Sequence, residues 1–288
     1  AIGGDLGGVF VVRSLGDVDA MAPHVSEGKR ALIVGGGYIG LEAAAVCAKR
    51  GVAVTLVEMA DRILQRVAAP ETSDYFRALH TEHGVDIREG IGLDRLEGTE
   101  GQVTRAALTD GSTVDVDFVV VGAGITPGTQ LAELAGLELE NGIKTDAQGR
   151  TSDAAIWSAG DCASFPYKGG RIRLESVPNA LEQAKQAAAA IVGRPGPAPE
   201  VPWFWSDQYD FKLQIAGLPF DADRLVVRGD PTAGGFAVFH LSGDRVVCVE
   251  AVNAPPEFMA GKQLIGKATP VDVAKLADQA VSMKAVGV

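Results

Sequence analysis

The segment Arg30–Glu58 constrains the fold of this chain more than any other stretch. It holds Gly35-Gly36-Gly37-Tyr38-Ile39-Gly40, a GxGxxG pattern. The pattern alone is weak, but its surroundings are specific. An apolar strand, Ala31–Val34, precedes it, and an Ala-rich helix is expected over Ile39–Arg50. A second buried strand, Val52–Glu58, follows and ends in an acid 18 residues after Gly40. This strand–turn–helix–strand order is what a dinucleotide-binding βαβ unit requires. Gly35 permits the tight turn, Gly37 lets the backbone approach a pyrophosphate, and Gly40 lets the helix pack closely on the sheet. The helix start, including Ile39, then offers free N–H groups and the positive end of its dipole to phosphates. Glu58 accepts hydrogen bonds from a ribose diol and repels a 2′-phosphate, which favours NADH over NADPH. The competing reading is a glycine-rich turn without a ligand.

Strand and helix continue to alternate through Gly122, with a helix at Asp74–His83 and strands at Val85–Glu89 and Asp117–Val121. Alternation of this kind implies a parallel sheet with crossover helices. Val103–Leu108 and Thr113–Val116 flank a hairpin turn at Asp110-Gly111. Farther on, a strand is expected at Ile156–Ala159 and a long helix at Asn179–Val192. The run Gly193–Pro199 is the clearest linker in the chain. Beyond it, Trp203–Val252 reads as an antiparallel sheet and Val271–Ser282 as a C-terminal helix. With 288 residues, two or three domains are expected.

A formal net charge of −11 argues against a nucleic-acid binder. No apolar run is long enough to span a bilayer and no signal pattern opens the chain, so a cytoplasmic location is the default. Cys47, Cys162 and Cys248 have neither disulfide-framework nor zinc-site spacing. His80 and His83 lie three apart on the expected helix. An exposed helix surface is preferred there to a metal site, since no co-ligand pattern lies nearby.

Four stretches occur here in one order: GGGYIGLE at Gly35–Glu42, TSDAAIWSAGDCA at Thr151–Ala163, RLESVPNA at Arg173–Ala180 and PWFWSDQYDFKLQIAG at Pro202–Gly217. Together they resemble the FAD-dependent NADH:ferredoxin reductases of bacterial oxygenase systems, the putidaredoxin and biphenyl-dioxygenase reductase type. The last two stretches are the most specific. The resemblance implies an α/β fold: a Rossmann-like NAD(H) domain, a FAD domain made of two separated stretches, and a C-terminal α+β domain. Residues 1–16 would end the first FAD stretch, 17–140 form the NAD(H) domain, 141–198 the second FAD stretch, and 199–288 the reductase domain. The family's N-terminal FAD-binding segment, with its own glycine motif, is not among these residues.

By the same resemblance the reaction is hydride transfer from NADH to FAD, followed by single-electron delivery to an iron–sulfur ferredoxin or rubredoxin. Glu42 and Tyr38 would orient the nicotinamide. Arg66 would join Glu58 at the adenosine half, and Gly124 would line a second loop against the dinucleotide. Arg13, Gly160, Asp161 and Val177 would hold the flavin, and Trp205 would lie beside it. Four of these residues have a plainer reading. Glu42 suits the first turn of any helix through the dipole, Gly160-Asp161 suits an ordinary turn, and Trp205 suits a core. Two rivals to the whole assignment stay open: a flavin disulfide reductase, and a flavin-free NADH-binding fragment without turnover. A visible spectrum of the purified protein separates the fragment from the enzyme.

Overall fold

The computed structural model describes residues 2–288. The first part runs β1 (Val9–Val11), α1 (Leu15–Met21), β2 (Arg30–Val34), α2 (Tyr38–Lys49), β3 (Ala53–Glu58), α3 (Pro70–Glu82) and β4 (Asp86–Glu89). Strands β5 (Leu93–Thr99), β6 (Gln102–Leu108), β7 (Thr113–Asp115) and β8 (Phe118–Val121) follow. β1, β8, β2, β3 and β4 form one parallel sheet in that order. Its central strands are apolar on both faces because both faces are covered. One face, with Ala31, Ile33, Leu56 and Phe118, packs against Leu41, Ala44, Cys47, Phe76 and Leu79 of α2 and α3. The other, with Leu32, Val57 and Val119, packs against the antiparallel β5-β6-β7 sheet through Leu96, Val103, Ala106 and Leu108. Alanines at 43–45 keep α2 slim where it crosses the sheet. β5 was not foreseen, because Asp94, Arg95 and Glu97 break its apolar pattern.

The middle part contains α4 (Gln130–Leu134), β9 (Ile143–Lys144), β10 (Ala163–Tyr167), β11 (Gly170–Ile172) and α5 (Val177–Ile191). The strand expected at Ile156–Ala159 does not form. Thr151 and Asp153 side chains accept from the backbone N–H groups of Asp153 and Ala155, closing local turns. Those turns outcompete extension. What remains is an isolated bridge between Trp157 and Arg150. The linker is pinned along α5, where Gln186 donates to the Pro197 carbonyl and Glu182 accepts from the Glu200 N–H.

The C-terminal part is an antiparallel sheet of β12 (Trp203–Gln208), β13 (Phe211–Gly217), β14 (Arg224–Asp230), β15 (Gly235–Ser242) and β16 (Arg245–Val252), ordered β12-β13-β16-β15-β14. Two short helices follow, α6 (Pro255–Lys267) and α7 (Val273–Ala277). One sheet face packs on α6 and α7 through Val226, Phe239, Val249, Phe258 and Leu276. The other face carries Leu213, Ile215, Phe236 and Val238 into the same core as α2 and α3. The helix expected over Val271–Ser282 shrinks to Val273–Ala277. Buried Arg228 takes the carbonyls of Leu276, Asp278 and Val281, so they are spent outside helical bonds. Among the described residues no helix is long and apolar enough to cross a membrane.

At the junction of the C-terminal sheet with α3 lies Glu250, only 1% exposed. Its carboxylate accepts from the Ala69 N–H at 2.8 Å and the Thr72 hydroxyl at 2.5 Å, and pairs with His240 Nε2 at 2.5 Å. The carboxylate thus caps α3 from another domain, where Ala69 has no side chain able to do so. Replacing Glu250 with Leu leaves three buried polar groups without their partner. Urea denaturation is expected to show a loss of about 3–5 kcal/mol, and an unchanged midpoint would refute the role of this contact.

Candidate dinucleotide and flavin site

The glycine turn is built by close approach. Gly35 adopts φ +109°, and a Cβ there would sit 2.6 Å from the Gly122 carbonyl oxygen of the neighbouring loop. A Cβ on Gly40 would sit 1.9 Å from the Gly35 oxygen, so α2 reaches the turn only with glycine. Gly37 differs, because a Cβ added there meets nothing within 4 Å. Gly37 is also the N-cap of α2, with no side chain to occupy the free N–H groups of the first turn. Packing therefore explains Gly35 and Gly40, and no packing contact accounts for Gly37. Gly124, on the loop after β8, likewise faces open space. Exposed Ile39 stands in the first turn beside them.

Glu58 ends β3 at the same place. Its Oε2 accepts from the Gly36 N–H at 2.6 Å and its Oε1 from the Ala60 N–H at 2.8 Å. The carboxylate thus holds the glycine turn, a task the sequence did not reveal, and keeps lone pairs for a further donor. The open cradle, the helix start and this carboxylate fit the pyrophosphate and ribose of NAD(H). Arg66 is exposed nearby in sequence, and no hydrogen bond or ion pair among the described residues ties its side chain to the other candidates.

Glu42 lies in the second turn of α2, not the first, so the helix dipole does not account for it. Ser206 on β12 donates to its Oε1 at 2.6 Å. Burial pushes the Glu42 carboxyl up from its usual range, and the Ser206 hydroxyl partly offsets this. Ser206 is 1% exposed and was not recognised from sequence. Its signal was alternation, since Phe204, Ser206 and Gln208 share one face of β12. Tyr38 turns inward onto Phe204, with ring centroids 4.7 Å apart. Its hydroxyl is buried without a hydrogen-bond partner among the described residues, and burial raises the phenol well above its ordinary value.

Gly160, Asp161 and Val177 gather around the start of α5. The Gly160 N–H donates to Gln183 Oε1 at 2.7 Å, and Ala180 is close enough to limit any side chain at 160. The Asp161 carbonyl accepts from Arg173, while its carboxylate has no hydrogen-bond partner among the described residues. Val177 is the first residue of α5 and is exposed, behind the N-cap Ser176. A free carboxylate and an exposed helix start fit the hydroxyls and polar edge of a flavin. Trp205 is 40% exposed and leans on Trp203, whose other neighbour is Phe258 of α6. It is a rim residue, and the core reading does not apply. Arg13 is exposed after β1, and no hydrogen bond or ion pair among the described residues ties its side chain to the others.

His80 corrects the sequence reading, since it is fully buried and not on an exposed helix surface. Gln208 and Tyr209, arriving from the C-terminal sheet, cover it at 2.9 and 3.3 Å. Only tertiary contact could bury a histidine on a face that the helix period leaves polar.

Residues 1–184 match the family described as pyridine nucleotide-disulphide oxidoreductase, and residues 203–287 match the reductase C-terminal domain. A probable ferredoxin reductase, CtmF, of Castellaniella defragrans is 48% identical over 98% of this chain and 70% of its own. Putidaredoxin reductase CamA of Pseudomonas putida is 42% identical over 96% of this chain and 66% of its own. The reductase in a covalent putidaredoxin reductase–putidaredoxin complex superposes with a TM-score of 0.94 at 41% identity, covering 98% of this chain and 68% of that one. The chain therefore belongs to the pyridine nucleotide-disulphide oxidoreductases, in the branch formed by the ferredoxin reductases of oxygenase systems. These are oxidoreductases of NAD(H) and FAD. The chain spans between about two thirds and seven tenths of the length of these relatives.

The two glycines separate packing from binding. Gly40→Ala is expected to destabilise the fold by about 3 kcal/mol. Gly37→Ala should cost about 1 kcal/mol or less, yet weaken NADH binding about tenfold or more. Equal affinities for wild type and a folded Gly37→Ala variant would remove the cradle from the binding site.

Proposed function

We propose that this chain carries the NADH-binding and acceptor-side parts of a reductase that passes electrons from NADH through FAD to an iron–sulfur ferredoxin or rubredoxin. The observation behind it is the open Gly37 position at an uncapped helix start, with the Glu58 carboxylate beside it. Residues 17–140 serve NAD(H). Residues 141–198 belong to the flavin unit, completed by an N-terminal FAD-binding segment outside these 288 residues, and residues 1–16, expected to end that segment, lend β1 to the parallel sheet beside β8. Residues 199–288 form the reductase domain.

In this reading the first turn of α2, with Gly35, Gly37, Ile39 and Gly40, receives the pyrophosphate of NADH. Glu58 accepts from the adenosine ribose, Arg66 lies along the same half, and Gly124 lets the second loop close on the dinucleotide. Glu42 accepts a hydrogen bond from the nicotinamide carboxamide, and Tyr38 backs the ring. Asp161 accepts from the flavin side chain, Gly160 allows its approach, and Arg13 contacts it from the turn after β1. Val177 presents the positive end of α5 to the electron-rich edge of the flavin. When bound, FAD supplies the exchange between two-electron and one-electron chemistry that no side chain here supplies. Trp205, at the rim of the C-terminal domain, covers the flavin on the side where the acceptor docks.

Two experiments test this. Glu58→Ala is expected to lower the preference for NADH over NADPH by about tenfold. The ratio is the informative quantity, because loosening of the glycine turn weakens both dinucleotides alike. An unchanged ratio would sink the ribose assignment. Trp205→Ala, made in a protein that includes the flavin-binding segment, is expected to cost about 1 kcal/mol of stability or less, since the ring is at the rim. Ferredoxin reduction should slow by about tenfold. Normal reduction by the folded variant would leave Trp205 with no part in electron delivery.

A further inference from the structure

A line of hydrogen bonds runs from Glu42 across the domain junction. Ser206 Oγ lies 2.6 Å from Glu42 Oε1, and Gln208 Nε2 lies 3.2 Å from Ser206 Oγ. His80 Nε2 lies 2.9 Å from Gln208 Oε1, and the Tyr209 hydroxyl lies 3.3 Å from His80 Nδ1. Ser206, Gln208 and His80 are each no more than 1% exposed, so water does not substitute for any partner.

The direction of every bond follows from the chemistry at one end. An ionised carboxylate only accepts. The single Ser206 proton therefore goes to Glu42, and the Ser206 oxygen is left to accept from Gln208. The Gln208 amide nitrogen then faces Ser206, and its oxygen faces His80. His80 must carry its proton on Nε2, which leaves Nδ1 bare to accept from Tyr209. Four donors point the same way, toward Glu42, and bonds aligned in this manner polarise one another. The amide in the middle does not pass protons readily, so the line orients and does not conduct.

We infer that His80, Gln208 and Ser206 are positioning residues for Glu42, and that the charge on Glu42 selects the Nε2–H tautomer of His80. This rests on Glu42 facing the nicotinamide, as proposed above. The surroundings agree with it. Tyr209 adopts φ +56°, a conformation disfavoured for an aromatic residue. Its ring is held there by stacking on His83 at 3.7 Å, with Lys49 over it at 5.9 Å. Burial lowers the His80 imidazole to about 4, with His83 adding to the effect, so His80 is neutral above that range. Asp207 is the charged neighbour of Glu42 on β12; its charge raises the carboxyl and its backbone N–H lowers it.

The test uses the whole chain with 15N-labelled histidine and 13C-labelled glutamate. NMR of the wild type is expected to show His80 with a proton on Nε2 and a bare Nδ1 from neutral pH down to about 5. A proton on Nδ1 would overturn the inference. His80→Leu removes the donor and is expected to raise the Glu42 titration midpoint by about half a pH unit or more. It should also weaken NADH binding about threefold to tenfold. His80→Gln restores a donor and should recover both. A folded Leu variant with an unchanged Glu42 titration would overturn the line. Should the Leu variant not fold, Tyr209→Phe removes only the outermost hydroxyl, and the His80 Nδ1 resonance must then move. An unmoved resonance overturns the line equally. Glu42→Gln separates the two readings. If it leaves NADH affinity intact while His80→Leu still shifts the Glu42 titration, the hydrogen-bond line stands and the nicotinamide role of Glu42 falls.

Discussion

The molecule depends on how one face of the C-terminal sheet is covered. That face is mostly apolar, with Leu213, Ile215, Phe236 and Val238, and it shares a core with α2 and α3 of the dinucleotide unit. Set within it are Ser206, Gln208, His240 and Glu250, all buried. Polar groups placed in such a seam must find partners or cost stability. Here they find them on the neighbouring domain: Glu250 at the start of α3, Gln208 at His80, and Ser206 at Glu42. Apolar area supplies the attraction, and the polar pairs fix the register. A shift of one residue along β12 would put Trp205 or Asp207 where Ser206 now meets Glu42, because successive side chains alternate faces.

That register matters because α2 has two jobs. Its first turn forms the open cradle at Gly37, and its second turn carries Glu42 to the C-terminal sheet. Its closeness to Gly35 is set by the absence of a side chain at Gly40. The cradle and the carboxylate are thus held in one rigid element, seated on the parallel sheet on one side and on the C-terminal sheet on the other. Glu58 adds to this by fastening the glycine turn from β3. A group that binds at the turn therefore meets a surface shaped before it arrives, which limits the ordering cost of binding.

Where sequence reading and structure differ, local chemistry and distant contacts explain the difference. Ile156–Ala159 looked like a strand by composition, but Thr151 and Asp153 captured the backbone in turns. The last helix looked long by pattern, but Arg228, nearly fifty residues away or more, took the carbonyls that would have extended it. His80 looked like a surface residue because the polar face of α3 is covered by a domain that is distant in sequence. The first difference comes from side chains two residues away and the other two from partners remote in sequence, and periodicity contains no information about either.

The amino-acid sequence by itself determined the parallel α/β unit, the glycine turn with its acid at Glu58, the linker after α5 and the antiparallel C-terminal sheet. These depend on side-chain period, turn chemistry and steric size, all of which act over a few residues. It also presented Glu42, Asp161 and Trp205 as candidates without deciding between a local and a functional reading. Tertiary structure decided those readings as far as packing goes. It moved Glu42 out of the reach of the helix dipole and gave it Ser206, left the Asp161 carboxylate without a partner, and placed Trp205 at a rim. It alone joined His80, Gln208 and Ser206 to Glu42. The reason is that burial and hydrogen-bond direction are properties of surfaces in contact, and the sequence specifies those surfaces only after the whole chain has packed.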